Sequence, residues 1–309
     1  MDDKKTIQFA NFNVTFGNEE QAMLTHFKDI IYPAFTAGLV RGSKEDRTRY
    51  SFIDIQVKKI NEEYVLTGNF VKDTQYDIHT LYRNNILLSA PSTVPTSPYS
   101  RFIIFLNNHR MILILNESYS PNIVNFQSTV RTILDKFLYS HNKKSDQKLP
   151  SANVNIVNIP LKTKITAALK DVDKITELKL SFFPLNNDLN PVPLGNYIDE
   201  ELKALDSRRA NLRYLSPKSK ENVAELIDKI GDTAKVLVKT KNNDGSTKNF
   251  SSDTFKYSQK IVHDKNVEPA DDDKFVKAAK ETGMIKEPSP DNFTLYQKYK
   301  DFFKRLAGK

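Results

Sequence analysis

The chain contains no cysteine. That removes disulfides, cysteine-ligated zinc, iron–sulfur clusters and a thiol nucleophile from consideration. Its five histidines (His26, His79, His109, His141, His263) are dispersed, and no two stand at a spacing that would ligate one metal ion. A glycine-rich phosphate loop, a serine nucleophile elbow and a pair of helical histidines are also missing. No stretch approaches the roughly 18–20 apolar residues that cross a bilayer as a helix. The opening "MDDKKTIQFANFNV" lacks the apolar run of a signal peptide. The expectation is a cytoplasmic protein with no cofactor, no metal and no segment inserted in a membrane.

What is present is a globular composition with an uneven charge. The 309 residues are 39% hydrophobic and 27% charged, enough for two domains. Net charge is +8. Residues 101–170 hold ten Lys/Arg against three Asp/Glu, whereas 264–309 hold ten against nine. A basic middle suits a polyanionic partner.

The hydrophobic pattern predicts sheet plus helices. Residues 6–16 read as a strand, and "NEEQAMLTHFKDIIYPAF" as a helix capped by Asn18. Residues 50–60 and 63–71 read as a hairpin, and "SAPSTVPTSP" (89–98), with three prolines, as a loop. "RFIIFLNNHRMILILNES" (101–118) reads as two buried strands joined by a turn at Asn107-Asn108, with Arg110 beside the turn. A long helix follows over 120–139, then a polar linker, 140–151. Beyond it come a strand (152–159), a helix (161–172) and a strand (175–183), then helices at 198–215 and 219–230. Ser219 caps the last of these, and Gly231 ends it where a left-handed residue is favoured. A hairpin with an Asp244-Gly245 turn precedes the tail. Adjacent strand pairs favour an α+β class. The predicted organisation is two mixed sheet-plus-helix domains, 1–140 and 152–263, and a short helical C-terminal tail, 264–309.

Three sets of side chains carry the candidate chemistry. Basic residues form the broadest set: Arg208, Arg209 and Arg213 on the predicted helix 198–215, and Lys218 and Lys220 at the start of the next. Lys235, Lys239 and Lys241 lie on one face of a strand; Arg41, Lys44, Arg47 and Arg49 lie in a loop; Arg110 lies at the hairpin turn. Such residues hold phosphates and do not read bases, so DNA or RNA would be bound with little regard to sequence. The second set is Asp54, Gln56 and Lys58, whose alternation matches the carboxylate–glutamine–lysine strand of Mg-dependent nucleases. The third is "DDD" at 271–273, which reads either as a cation site or as acid at a helix start. A protein-interaction module without enzymatic activity is the remaining alternative.

The order of elements resembles the RexA exclusion protein of temperate phages and related phage-defence proteins. The likeness runs through "FIDIQVKKINEEYVLTGNFVKD", "FIIFLNNHRMILI", "VNIVNIPLKTKITAALKDVDKITELKLSFF" and "VLVKTKNNDGSTKNF", over roughly residues 50–305. It implies a cytoplasmic, dimeric DNA-binding protein that senses infection and signals to a partner, a membrane protein among the options. It assigns no individual residue.

Overall fold

β1 (Asp3–Phe16) is buried at every position from Ile7 to Phe16, so both of its faces and both of its edges must be covered. The computed structural model, which describes residues 3–187, 192–263 and 271–308, shows how. A tight turn leads to β2 (Gln21–Ala22), and then to an irregular helical segment. That segment is a 3-10 turn at Met23–His26, a π turn at Phe27–Ile31 and α1 (Tyr32–Thr36). Met23, Leu24, Phe27, Ile30 and Ile31 are buried here, but the helical turns begin at Met23, well past Asn18, whose side chain instead accepts a hydrogen bond from Arg208.

After β3 (Val40–Arg41) come β4 (Arg49–Ile60), β5 (Glu63–Arg83), β6 (Ile86–Thr96), β7 (Tyr99–Phe105) and β8 (Arg110–Leu115). The strand order β1-β8-β7-β5-β4-β3 is antiparallel throughout. β8 lies between β1 and β7, which explains why its apolar run faces core on both sides. α2 (Ile123–Lys144) packs on the sheet through Phe126, Val130, Ile133 and Leu134. Its cap is Asn122, in a reciprocal box with Asn125, so the helix starts at Ile123 within the expected 120–139.

β9 (Ala152–Asn158) then pairs with Ala10–Phe16 of β1, and β14 (Ser258–His263) later pairs with Asp3–Gln8 of the same strand. The segment between these two strands forms a second sheet. It runs through α3 (Lys162–Lys170), β10 (Lys174–Phe182), α4 (Pro193–Ala204), β11 (Ala210–Leu215), α5 (Lys220–Ile230), β12 (Ala234–Lys241) and β13 (Thr247–Ser251). Its order is β11-β10-β12-β13, again antiparallel. The strands that open and close the expected 152–263 unit are thus hydrogen-bonded to β1. α6 (Asp272–Glu281) and α7 (Pro290–Ala307) cover the large sheet from both sides. Phe275, Val276 and Ala279 of α6 pack on one face, and Tyr296 and Phe303 of α7 on the other. The first residues of the expected tail, 264–270, lie outside the described residues. The class is α+β, with two sheets and a C-terminal helix.

Three expectations are corrected. The proline-rich stretch 89–98 is mostly strand: β6 pairs with the distal half of β5 in a two-stranded ribbon, whose free edge tolerates the missing donors of Pro91 and Pro95. The helix expected over 198–215 ends at Ala204; Asp206 then takes φ of 49°, and Asn211 to Leu215 alternate along an edge strand. Gly231 has φ of −68°, so left-handed geometry is not its purpose. A Cβ there would stand 2.5 Å from Pro160 Cγ, where α5 closes on the chain leaving β9. Gly231→Ala therefore lowers stability by about 1–3 kcal/mol, the usual cost of overpacking, read as a fall in the urea midpoint at unchanged m-value.

Candidate nucleic-acid interface

The second sheet has two unlike faces. Leu178, Leu180 and Phe182 of β10 and Val236 and Val238 of β12 point to one side, where Ile165 and Leu169 of α3, Leu202 of α4 and Ile227 of α5 bury them. Strand alternation sends the intervening residues to the other side. There Lys179 lies between Arg213 of β11 and Leu237 of β12, and Lys239 lies beside Glu177. Lys235 sits opposite Ser181, and Lys241 opposite Lys174. Six bases share this face with one carboxylate, Glu177. Lys239 Nζ is 3.1 Å and Arg213 Nε 3.7 Å from the Glu177 carboxylate. The hydrogen bond from Lys239 holds the Glu177 carboxyl below the usual range, and Arg213 and Lys179 add to the effect.

The basic face ends in a corner against the large sheet. Lys235 Nζ donates to Asn155 Oδ1 of β9 at 3.2 Å and lies 5.9 Å from the ring centroid of Phe183. Burial first, then the like charges of Arg131 on α2 and Arg209, push its amine down to about 8. Holding cations together in this way is unfavourable for the protein alone and favourable once an anion arrives. The rows facing outward on β10 to β13 carry no aromatic side chain. A platform for stacking unpaired bases would need one, so the chemistry on offer is phosphate binding.

The other predicted basic residues are distributed as follows. Arg209 and Arg213 join Lys239 and Lys241 at this face and its corner. Arg208, in the turn before β11, donates to Asn18 Oδ1 at 3.1 Å, at the seam with the large sheet. Lys220 stands on the opposite, helical side, where it donates to the Lys170 carbonyl at 3.4 Å. Lys218 precedes it, outside the sheet. Arg41 stacks on Tyr50, 4.1 Å from the ring centroid, on the far edge of the large sheet. Arg47 is bound to the Gln75 carbonyl and to Asp77. Arg110 leaves the candidate set because it is buried: its guanidinium meets Asp232 at 2.9 Å, with both side chains 5% exposed. Missed in the sequence were Lys174 and Lys179, although the alternation of Leu178, Leu180 and Phe182 already placed Lys179 on the outward face.

The nuclease alignment does not assemble. A bulge between Ile53 and Gln56 breaks the alternation, and Asp54, with φ of 55°, accepts a hydrogen bond from Asn69 at 2.8 Å. Lys58 turns to Asp272 at 2.7 Å, and both oxygens of that carboxylate are held by Arg101. Among the described residues no group of three His, Asp or Glu side chains could hold a metal ion. The acid run follows the helix reading: Asp271 caps α6 by accepting from Lys274 N, Asp272 is the buried ion-pair partner, and Asp273 lies in the first turn.

The hairpin turn of 107–110 is interior, not surface. Asn108 donates to the Lys286 carbonyl at 2.6 Å, Lys286 Nζ reaches Asp232 at 2.7 Å, and His109 is fully buried. Burial and the neighbouring Arg110 push the imidazole down to about 3, against the opposing pull of the Asn186 backbone. The folded state thus prefers neutral His109. Stability from this residue is full above the unfolded value near 6.5 and is lost as pH falls toward 3, at about 1.4 kcal/mol per pH unit. His109→Asn, which tolerates the positive φ of 56°, flattens that slope in urea unfolding between pH 6.5 and 4.5.

Among the described residues no helix is long and apolar enough to cross a membrane. Compared with protein-family models, with curated proteins and with solved structures, the chain matches none.

Proposed function

We propose that the chain is a non-catalytic protein that binds the phosphate backbone of duplex DNA on the open face of its four-stranded sheet, largely without regard to sequence. The observation that carries this reading is the concentration of six bases against one carboxylate on a sheet face with no aromatic side chain. Antiparallel strands hold the side chains in fixed rows, so little conformational freedom is lost when phosphates dock. The cellular setting we propose is the one implied by the RexA-like order of elements, a cytoplasmic component of an anti-phage system that signals to a partner. Support for that setting is the element order alone. The direct test is fluorescence anisotropy with a labelled duplex of random sequence and a single strand of the same length. Binding of the duplex at low salt, weakening steeply as salt rises, is expected; no binding at low salt overturns the reading.

A further inference from the structure

At the corner between the two sheets, Lys235, Arg131 and Arg209 converge from three different elements. Lys235, near the start of β12, lies opposite Ser181 of β10, and Ser181 lies opposite Asn211 of β11. These side chains make the last row of the outward face. Arg209 stands two residues before Asn211, close enough to act on the Lys235 amine. The large sheet supplies the opposite wall. Asn155 Oδ1 of β9 accepts from Lys235 Nζ at 3.2 Å, and the adjoining Val154 carbonyl accepts from Arg131 Nη2 of α2 at 3.0 Å. Two cationic heads are thus tied to consecutive residues of one strand. The Asn155 amide is itself fixed, since its Nδ2 donates to Asn153 Oδ1 at 2.9 Å.

What this corner lacks is an acid. Arg110 meets Asp232, and Arg101 and Lys58 meet Asp272. Among the described residues, Lys235, Arg131 and Arg209 form no such ion pair. Nearby carboxylates have other partners or stand off. Glu20 accepts from Thr15 and Asn153, and Asp135, one turn along α2, feels the charge of Arg131 without pairing with it. An amide and a carbonyl orient the cationic heads but do not neutralise them, so their charge is left for a ligand.

We propose that the corner of Lys235, Arg131 and Arg209 is a discrete site for a phosphomonoester, supplied by the 5′-phosphate end of a nucleic-acid strand or by a free mononucleotide. Along β12 the outward positions run from Lys241 through Lys239 to Lys235 and stop at β9. A continuous backbone has to leave the face at this point, whereas a strand end fits. The chemistry differs too. A phosphodiester carries a single charge, while a terminal phosphate carries nearly twice that and offers three acceptor oxygens. Cationic donors arriving from β12, from α2 and from the turn before β11 suit the second group better than the first. Asn211 Oδ1 accepts from Ser181 Oγ at 2.7 Å, which leaves the Asn211 amide nitrogen to donate as well. For a strand end, though not for a free mononucleotide, the inference rests on the open face binding the backbone.

Two measurements on the full chain test this. In the first, anisotropy at low salt compares a random duplex bearing 5′-phosphates with the same duplex bearing 5′-hydroxyls. The phosphorylated duplex should bind about tenfold tighter, the worth of one added charge-assisted contact. Arg131→Gln and Lys235→Met should each bring that ratio close to one. The Lys179, Arg213 and Lys239 alanine variant should keep the ratio while losing affinity for both duplexes, which separates the corner from the rest of the face. In the second, brief amine acylation near pH 8 is read by peptide mass spectrometry. Lys235, its amine pushed down to about 8, reacts readily there. Adenosine 5′-monophosphate should protect it, and adenosine should not. Protection needs no duplex, so it decides the matter even if the open face binds none. Protection together with the duplex preference assigns the strand end, and protection with a ratio near one assigns the free mononucleotide. Absence of protection overturns the proposal, as does a preference that both folded corner variants retain.

Discussion

Asp232→Ala lowers the stability of the chain by about 3–5 kcal/mol, the cost of leaving a buried partner charge uncompensated. Arg110 enters the interior at the start of β8, and Asp232, just after α5, is the carboxylate that meets it. Removing the acid leaves the guanidinium desolvated between the two sheets. Lys286 cannot replace it, having the same sign and a side chain 53% exposed. Against a total stability of 5–15 kcal/mol typical of folded proteins, a loss of this size moves the thermal midpoint by about 10 °C. The pair is costly to break rather than strongly stabilising, so Arg110→Met with Asp232→Leu should recover most of the loss. Lys286→Ala should cost far less, since its amine is half in water. Burial acts to raise the Asp232 carboxyl, but the charges of Arg110 and Lys286 overcome it and hold the group below its ordinary range. A depressed carboxyl contributes stability above its unfolded value, near 3.9, and loses it as pH falls further. Unlike the His109 effect, this loss is confined to the acid end, and Asp232→Asn should remove it.

The second large effect is on binding. Combining Lys179→Ala, Arg213→Ala and Lys239→Ala removes half of the bases on the open sheet face. All three point outward, opposite the packed Leu178 and Leu180, so their loss spares the fold. If each of six bases neutralises one phosphate, the slope of log affinity against log salt is roughly −5 for the wild type and roughly −3 for the triple variant. Affinity for a random duplex should fall by roughly two orders of magnitude at moderate salt, alike for all sequences. Glu177→Gln should act in the opposite sense, because it removes the one acid that Lys239 and Arg213 share. Lys218→Ala with Lys220→Ala is the control. Those lysines lie at the start of α5 on the helical side, and their loss should leave duplex binding nearly unchanged.

The α+β class and the core were legible because strand alternation and the apolar spacing of α2 are local signals. The interior position of β8 followed from its unbroken apolar run. What was not legible depended on pairing partners far apart in sequence. β6 looked like a loop because its prolines forbid a central strand but not an edge, and no local signal says which edge a strand will occupy. Leu202, Leu205 and Leu212 matched a helical stripe by coincidence of spacing, while the break at Asp206 was carried by a backbone angle. Arg110 looked like a turn-flanking surface residue, and only the return of Asp232 over it makes it buried. In the candidate site, Arg213, Lys239 and Lys241 were recognised singly as bases. Their convergence with Lys174 and Lys179 follows from the register of β10 with β11 and β12, which composition does not encode.

The proposed function rests on an open, basic sheet face that binds phosphates. The measurement that tests it most directly is the salt dependence of random-duplex affinity for the wild type and for the Lys179, Arg213 and Lys239 alanine variant, with thermal unfolding showing both chains folded. Tight binding at low salt is expected for the wild type, with a slope of roughly −5 that falls to roughly −3 in the variant. Equal slopes for the two folded chains, or a wild type that leaves the duplex unbound at low salt, would contradict it.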